Sequence, residues 1–170
     1  TIFLCWAAHA AMYHFYGCQR QIRSAKLSGV FEHKVVQPND ELMRGFDPVF
    51  WAPHSRVGEV TLQDYEKVKG LTVLAHSDEA GTYISATDDR RLVFVTGHPE
   101  YDPNTLALEY SRDLEAGLEP VIPENYFIED NPDKEPIVRW KSHGSLLLTN
   151  WLNYYVYQNT PYDLSTLKRR

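Results

Sequence analysis

The fold is decided by the stretch Thr1-Ile2-Phe3-Leu4-Cys5-Trp6-Ala7-Ala8-His9-Ala10-Ala11-Met12. Its apolar opening predicts a short strand over residues 1–4, and the small residues that follow predict a helix over residues 6–16. Gly17 is suited to end that helix, because glycine readily adopts the left-handed conformation of a C-terminal cap. The chain therefore turns sharply from strand to helix, and the Cys5 thiol lies at the corner.

A cysteine at this corner is a candidate nucleophile. It faces unpaired backbone N–H groups and the positive end of the helix dipole, and both favour the thiolate. Thiolate is the reactive form, and the same N–H groups can stabilise the oxyanion of a tetrahedral intermediate. Taken alone, a cysteine after an apolar run can also be a buried small hydrophobe, so the position of Cys5 needs a second indication.

That second indication is the apolar run Leu92–Thr96, which ends in Gly97-His98-Pro99-Glu100. His98 is suited to be the general base, and Glu100 can fix its tautomer and stabilise the imidazolium. An isolated His-Pro-Glu also occurs in ordinary loops. Because both features follow predicted strands, their combination favours a Cys-His-Glu triad of an acyl-transferring enzyme.

Composition excludes several functional classes. The chain has 170 residues, 43% of them hydrophobic and 24% charged, which predicts one globular domain. A net charge of −6 without a basic patch disfavours nucleic acid as a partner. No apolar run approaches the roughly 18 residues of a membrane span. Cys5 and Cys18 make no disulfide framework, so we expect the protein to be located in the reducing cytoplasm. The seven histidines lack metal-site spacing, so we expect neither a metal nor a bound cofactor.

The pattern along the chain predicts an α/β domain. Thr61 is expected to cap a short helix, and Asp88-Asp89 to form a hairpin turn. Pro53 makes residues 50–60 irregular to extended, and residues 119–136 are expected to form a surface excursion. The remaining elements are strands over 29–36, 71–75, 81–86 and 91–96, and helices over 41–44, 61–70, 103–116 and 142–157.

Catalytic residues at strand ends favour a particular architecture, because ligands of α/β sheets bind at the carboxyl ends of strands. We predict a flavodoxin-like, class I glutamine amidotransferase-like three-layer sandwich. Thr1 already lies in a predicted strand, whereas an elbow nucleophile normally follows earlier parallel strands. We therefore expect the sheet's N-terminal strands to be missing, and residues 1–170 to be the C-terminal portion of a single acyltransferase catalytic domain.

Longer motifs carry a resemblance to a known family. They are Phe3–Ala7, Lys26–His33, Arg44–Asp47, Ala52–Arg56, Phe94–Asp102, Ser142–Gly144, Thr149–Tyr157 and Thr160–Leu164. In sequence and order they resemble homoserine O-acyltransferases of methionine biosynthesis. The resemblance implies transfer of an acyl group from succinyl-CoA or acetyl-CoA to the hydroxyl of L-homoserine. It implies that Cys5 forms the acyl-thioester, that His98 accepts the proton and that Glu100 is the third catalytic residue.

The resemblance also implies a substrate site. Lys26, Ser55 and Arg112 occupy positions where the family binds substrate, and a guanidinium is a natural partner for a carboxylate. We expect Arg112 to reach the cleft of Cys5, because its helix follows the His-x-Glu turn. For Lys26 and Arg112 the alternative is a solvated surface charge. His54 is the one further histidine that we place near a site.

Two alternative functions stay open at this stage. A glutaminase shares the elbow and the His-Pro-Glu turn, but its elbow usually has glycines where this chain has Leu4 and Trp6. A catalytically inactive binding module is the other alternative.

Many relatives resemble Cys-Trp-Gly-Ala-Gln-Ala at the elbow, whereas this chain has Ala7 and His9. We expect His9 to be a packed or exposed helix residue. The expected partners are the two small substrates, a second copy in a homodimer and the missing N-terminal segment.

Overall fold

Six strands form one mixed sheet in the computed structural model, which describes residues 1–158. The order across the sheet is β1-β6-β5-β4-β2-β3. The strands β1 and β6 pair in parallel, and the other pairings between these six strands are antiparallel. The strand bounds are β1 Ile2–Leu4, β2 Gln21–Val35, β3 Val49–Glu59, β4 Leu71–Ser77, β5 Gly81–Thr87 and β6 Val93–Val95.

Helices connect these strands. No helix in residues 1–158 is long and apolar enough to cross a membrane. Two short 3-10 turns, Glu41–Met43 and Ile128–Asp130, and a π-helical segment, Trp151–Tyr157, complete the described chain. The α-helices are α1 Trp6–Tyr16, α2 Leu62–Glu66, α3 Thr105–Glu115 and α4 Lys141–Asn150.

The parallel pair places the two predicted catalytic elements side by side. Ile2 lies opposite Val93 and Leu4 opposite Val95, so both strands end at the same edge of the sheet. The backbone N–H of Cys5 extends the ladder by donating to the carbonyl of Val95 over 2.7 Å. The residues that follow each strand therefore meet, as the sequence predicted.

Alternate residues of β6 face opposite layers, as the pleat of a strand requires. Val93 and Val95 pack in a buried cluster with Leu147 of α4. Phe94, between them, packs in a separate cluster with Met12 of α1. Helices therefore cover both faces of the sheet, and the predicted three-layer α/β sandwich is confirmed.

Several local signals at helix ends and turns were interpreted correctly. The helix α1 has the predicted bounds, and Gly17 ends it in the left-handed conformation with φ of 71°. The hydroxyl oxygen of Thr61 accepts from the backbone N–H of Asp64 over 3.2 Å and caps α2. The strands β5 and β6 pair antiparallel across the predicted Asp88-Asp89 turn.

Residues 50–60, predicted to be irregular to extended, lie almost entirely in the regular strand β3. Pro53 lies within this strand, opposite Val30 of β2. β3 is the outermost strand of the sheet, where a residue without an N–H group is tolerated. Its partner β2 also begins earlier than predicted, at Gln21, because the polar residues before Gly29 pair with β3.

Two helix predictions need correction at their ends. The helix predicted from Pro103 begins at Thr105, whose N–H donates to the backbone carbonyl of Asp102 over 3.1 Å. Asp102 thus belongs to a turn before α3 and is not its side-chain cap. The helix predicted over 142–157 changes from α to π geometry after Asn150. Leu152, in the π-helical segment, is 41% exposed.

The segment 119–136 is also more than a surface excursion. Tyr126 and Phe127 are buried in a cluster with Leu106 of α3 and Trp140. The segment is anchored to the sheet where Val30 N–H donates to the carbonyl of Glu124 over 2.8 Å. The motif at residues 160–164 lies outside the described residues.

The helix α4 packs directly on the turn that carries His98. Gly144 lies against the backbone of Pro99, and a Cβ atom at this position would overlap the Pro99 carbonyl oxygen. A glycine is therefore required for the contact, and α4 supports the turn from outside.

We expect Gly144→Ala to lower the free energy of unfolding by about 1–2 kcal/mol, measured by urea denaturation. Overpacking costs about 1–3 kcal/mol, which exceeds the gain of about 1 kcal/mol from better helix propensity. Ser145→Ala, at the exposed neighbouring position, is the control and should be neutral or slightly stabilising. Equal stability of the two variants would mean that α4 moves away from Pro99 without cost.

Candidate active site

Cys5 occupies a strained corner between β1 and α1. Its backbone φ is 46° and ψ is −111°, a conformation that non-glycine residues rarely adopt. Such strain costs roughly 1–3 kcal/mol and persists where the surrounding structure holds it. The Cys5 backbone is held on both sides, since its N–H donates to Val95 and its carbonyl accepts from the N–H of His9 over 3.3 Å. The corner is therefore a nucleophile elbow in geometry as well as in sequence.

His98 is oriented by a carboxylate and by an aromatic ring. Its Nδ1 lies 2.7 Å from Glu100 Oε1, and its ring stacks on Tyr101 at a centroid distance of 4.1 Å. The His98 backbone N–H donates to the carbonyl of Pro53 over 2.9 Å. Because Nδ1 is engaged by Glu100, Nε2 is the nitrogen left for the hydrogen bond between His98 and Cys5. The structure therefore brings Cys5, His98 and Glu100 together.

The protonation of His98 follows from these contacts. Burial by itself would lower the pKa of His98, but its hydrogen bonds with Cys5 and Glu100 and the negative charges of those groups raise the pKa to about 9. A charged imidazolium is therefore favoured at neutral pH. Its positive charge lies next to the Cys5 side chain.

The predicted substrate residues Lys26 and Ser55 meet at a carboxylate of α3. The Ser55 hydroxyl donates to Glu109 Oε2, from which Lys26 Nζ is 3.7 Å distant. Lys26 Nζ also lies 3.1 Å from Asp113 Oδ2. With Tyr101, which donates to Glu109 Oε1 over 2.6 Å, these residues form one group that we name the Glu109 cluster.

Arg112 lies beside this cluster and points outward. Its guanidinium donates to Asp113 Oδ1 over 2.6 and 3.0 Å, and its side chain is 67% exposed. Hydrogen bonds from Arg112 and Lys26 hold the pKa of Asp113 below its usual value. Arg112 is thus connected to Lys26 through Asp113, and its predicted role in binding substrate stays a prediction.

Sequence reasoning missed Tyr101 and Glu109, which join the predicted catalytic residues to the predicted substrate residues. The Tyr101 ring stacks on His98 while its hydroxyl donates to Glu109. Burial and the Glu109 carboxylate raise the pKa of Tyr101 well above its usual value. Two signals could have identified them: Tyr101 directly follows Glu100, and Glu109 precedes Arg112 by about one helical turn.

The remaining candidates lie away from this group or beneath it. His54, placed near a site by the sequence, is fully buried on β3. His9 is also buried, and burial, with the nearby positive charges of Arg56 and Arg20, lowers its pKa to about 4. Cys18 is a free cysteine whose pKa is raised by burial. In the described part of the chain, no three His, Cys, Asp or Glu residues are grouped to hold a metal ion.

Two cavities help to locate ligand space. A cavity of about 700 Å³ beside Cys18, Asp64 and Lys67 is the larger, but none of the predicted site residues lines it. A cavity of about 180 Å³ is lined by Lys26 and Asp113, together with Ser28, Tyr110 and residues 118–121. We give weight to the smaller cavity, because it adjoins the Glu109 cluster.

Comparison with solved structures shows the fold. A glutamine amidotransferase from Thermotoga maritima superimposes with a TM-score of 0.61 at 14% identity, over 92% of this chain and 62% of that one. A glutamine amidotransferase from Methylobacillus flagellatus gives a TM-score of 0.54 at 12% identity, over 92% and 60% of the two chains. The predicted class I glutamine amidotransferase-like architecture is confirmed.

Comparison of sequences identifies nearer relatives. A homoserine O-succinyltransferase from Pseudoalteromonas atlantica is 64% identical over 170 residues, and one from Alteromonas mediterranea is 65% identical over 170 residues. A homoserine O-acetyltransferase from Acetivibrio thermocellus is 52% identical over 168 residues. These alignments cover 100%, 100% and 99% of this chain but 55%, 54% and 55% of the relatives. The chain therefore spans about half the length of these curated relatives.

The profile of the family described as homoserine O-succinyltransferase matches residues 1–162, which is nearly the whole chain. That match includes the elbow, the His98 turn and the Glu109 cluster. The resemblance read from the sequence motifs is thereby confirmed, and the chain belongs to the homoserine O-succinyltransferase family.

Proposed function

We propose that the full-length protein transfers an acyl group from acyl-CoA to the hydroxyl of L-homoserine, through an acyl-cysteine at Cys5, in methionine biosynthesis. The observation that carries the proposal is the contact of Cys5 with the His98–Glu100 pair at the carboxyl ends of two parallel strands. The names of the relatives support homoserine as the acceptor. Two free cysteines agree with a cytoplasmic location.

The first half-reaction forms the acyl-enzyme. The Cys5 thiolate attacks the thioester carbonyl of acyl-CoA, and the oxyanion of the tetrahedral intermediate is stabilised by backbone N–H groups in the first turn of α1. The intermediate collapses with cleavage of the bond to the CoA sulfur. His98 gives its Nε2 proton to the departing CoA thiolate, so free CoA leaves and His98 becomes neutral.

The second half-reaction releases the product. Neutral His98 accepts the proton of the homoserine hydroxyl as that oxygen attacks the acyl-Cys5 carbonyl. The second tetrahedral intermediate expels the Cys5 thiolate and yields the O-acyl ester. Glu100 holds the His98 ring by its Nδ1–H and stabilises the imidazolium, which restores the starting ion pair.

The Glu109 cluster and Arg112 suit the acceptor. Homoserine is a zwitterion, and this region offers two cations, Lys26 and Arg112, and two carboxylates, Glu109 and Asp113. We propose that Arg112 or Lys26 contacts the acceptor carboxylate and that Ser55 helps to orient the acceptor. The exposed Arg112 side chain can exchange Asp113 for a substrate carboxylate.

The acyl donor is the part of the proposal that the relatives leave open. One relative is named a homoserine O-succinyltransferase and another a homoserine O-acetyltransferase. Succinyl-CoA and acetyl-CoA are therefore compared as acyl donors in the adduct and kinetic experiments below. A glutaminase with the same fold would instead consume glutamine, and glutamine is included as a third substrate.

The central prediction is an acyl adduct on Cys5. When the full-length protein is incubated with acyl-CoA without homoserine, mass spectrometry of its peptides should detect one acyl group on the Cys5 peptide, because the thiolate attacks before the acceptor is needed. Cys18→Ala, the matched control, should keep the adduct, whereas Cys5→Ala should lose it. An adduct that persists in Cys5→Ala, or glutamine hydrolysis without acyl transfer, would contradict the proposal.

A second prediction concerns the charge on His98. Its imidazole should titrate near pH 9 in an NMR titration, and the pKa should fall towards its usual value of about 6.5 in Cys5→Ala and Glu100→Gln. Because the folded pKa is raised, the ion pair stabilises the fold fully below about pH 6.5. This stabilisation is lost as the pH rises through about 9. A pKa unchanged in both variants would mean that neither group faces the ring.

A third prediction separates the acceptor site from the acylation step. Arg112→Ala should raise the KM for homoserine by about ten- to a hundredfold, through loss of a charge-assisted contact, and leave the rate of acyl-Cys5 formation largely intact. Arg91→Ala, which removes an exposed arginine elsewhere, is the control and should change neither quantity. If acylation falls as much as the homoserine step, Arg112 belongs to the donor site or to the fold.

A further inference from the structure

Two buried histidines on neighbouring strands touch each other beneath the candidate active site. His33 of β2 and His54 of β3 are both fully buried, and their Nε2 atoms are 3.1 Å apart. The rings are nearly parallel and are enclosed by aromatic side chains, with Tyr83 at 4.5 Å from His33 between ring centroids. The proposed reaction uses neither histidine.

The hydrogen bonds of this pair have one consistent direction. Burial lowers the pKa of His33 to about 3 and that of His54 well below its usual value, so both rings are neutral. His33 Nδ1 lies 2.9 Å from the carbonyl of Phe31, which can only accept, so His33 carries its proton on Nδ1. Its bare Nε2 must then accept from His54 Nε2–H.

Arg56 begins the chain of hydrogen bonds. Since His54 carries its proton on Nε2, its Nδ1 is an acceptor, and Arg56 Nε lies 3.5 Å from it. The buried guanidinium is fixed by donating to the carbonyl of Gly58 over 2.6 Å and to that of Ala80. The direction is therefore Arg56 to His54 to His33 to the Phe31 carbonyl, and each ring nitrogen has a partner.

This chain of hydrogen bonds lies against the turn that carries His98, the proposed base. A Cβ atom on Gly97 would lie 2.9 Å from His54 Cε1, 2.8 Å from Tyr83 and 2.6 Å from the Pro53 carbonyl oxygen. The same Pro53 carbonyl accepts from the N–H of His98. Gly97 therefore rests on the His54 ring, and the backbone of His98 is bonded to the residue before His54.

We propose that the hydrogen-bonded chain Arg56–His54–His33 positions His98 for its exchange of protons with Cys5. The inference rests on the proposed function only in that it takes His98 to be the base. A fully bonded buried chain permits one orientation of each ring, whereas an apolar group of the same size would fill the space without fixing the strand register. His54 thus acts on the reaction through His98.

The surroundings of His98 make this role measurable. The groups that face it are Cys5 from the elbow, Glu100 and Tyr101 from its own turn, and neutral His54 from β3. Cys5 and Glu100 raise the pKa of His98 through hydrogen bonds and negative charge, and both effects depend on the position of the His98 ring. A displaced His98 ring loses both contacts, so its pKa reports its position.

The test compares His54→Phe, His54→Gln and Leu74→Ala in the full-length protein. Phenylalanine keeps the ring but removes both hydrogen bonds, and glutamine keeps an N–H donor towards His33. Leu74→Ala creates a cavity in the buried core and is the matched destabilised control. The measurements are the NMR titration of His98, kcat and KM for acyl transfer, and Tm.

We expect His54→Phe to lower the pKa of His98 below its value of about 9 and to reduce kcat by about ten- to a hundredfold with KM unchanged. His54→Gln should recover part of both quantities, and Leu74→Ala should lower Tm without altering either. If His54→Phe lowers Tm but keeps the wild-type pKa and kcat, the positioning role is overturned.

Two further outcomes are covered by the same design. If His54→Phe does not fold, the NMR titration of His98 is carried out in His54→Gln and Arg56→Lys instead. A His98 pKa unchanged in both variants overturns the proposal. If the wild-type protein transfers no acyl group, the proposed function fails, whereas the titration of His98 still decides whether His54 positions it.

Discussion

The candidate active site depends on the parallel pairing of β1 with β6. This pairing is extended by the hydrogen bond from Cys5 N–H to the Val95 carbonyl, which fixes the start of α1 next to the end of β6. Without this pairing, the Cys5 corner and the His98 turn would not be held next to each other, because they lie far apart in sequence. The strained φ of Cys5 persists because this bond and the bond from His9 N–H hold the corner on both sides.

The His98 turn is held by packing and hydrogen bonds from two directions. On one side, β3 supplies the Pro53 carbonyl and the His54 ring. On the other, Gly144 of α4 brings a helix against the backbone of Pro99. Gly97 and Gly144 share a physical reason, since any side chain at either position would collide with neighbouring backbone. A His98 side chain held this way needs little reorganisation to stay in contact with Cys5.

One aromatic side chain connects the two parts of the candidate site. The Cys5–His98–Glu100 group and the Glu109 cluster meet at Tyr101, which stacks on His98 and donates to Glu109. Lys26 lies opposite two carboxylates of α3, Glu109 and Asp113, so each charge of the Glu109 cluster has an opposite partner.

The sequence by itself determined the features that depend on neighbouring residues. The apolar run before Cys5, the small residues after it and the stop at Gly17 are local, and so is the His-Pro-Glu turn after Val95. Strand ends of an α/β sheet gather at one edge, so the meeting of Cys5 with His98 could also be inferred. The family motifs added Lys26, Ser55 and Arg112, which no pattern of spacing would have selected from the charged residues of the chain.

Only the tertiary structure decided the rest, because it depends on which strands become neighbours and in what register. Pro53 argues against a helix in the sequence, and β3 tolerates this residue because the strand lies at the edge of the sheet. In the sequence, nothing distinguishes Glu109 from the other acidic residues of α3. In the structure, Ser55, Tyr101 and Lys26 all contact its carboxylate. In the sequence, nothing connects His33 with His54. The antiparallel register of β2 and β3 brings their ring nitrogens within hydrogen-bonding distance, and burial then makes both rings neutral, which no local pattern encodes.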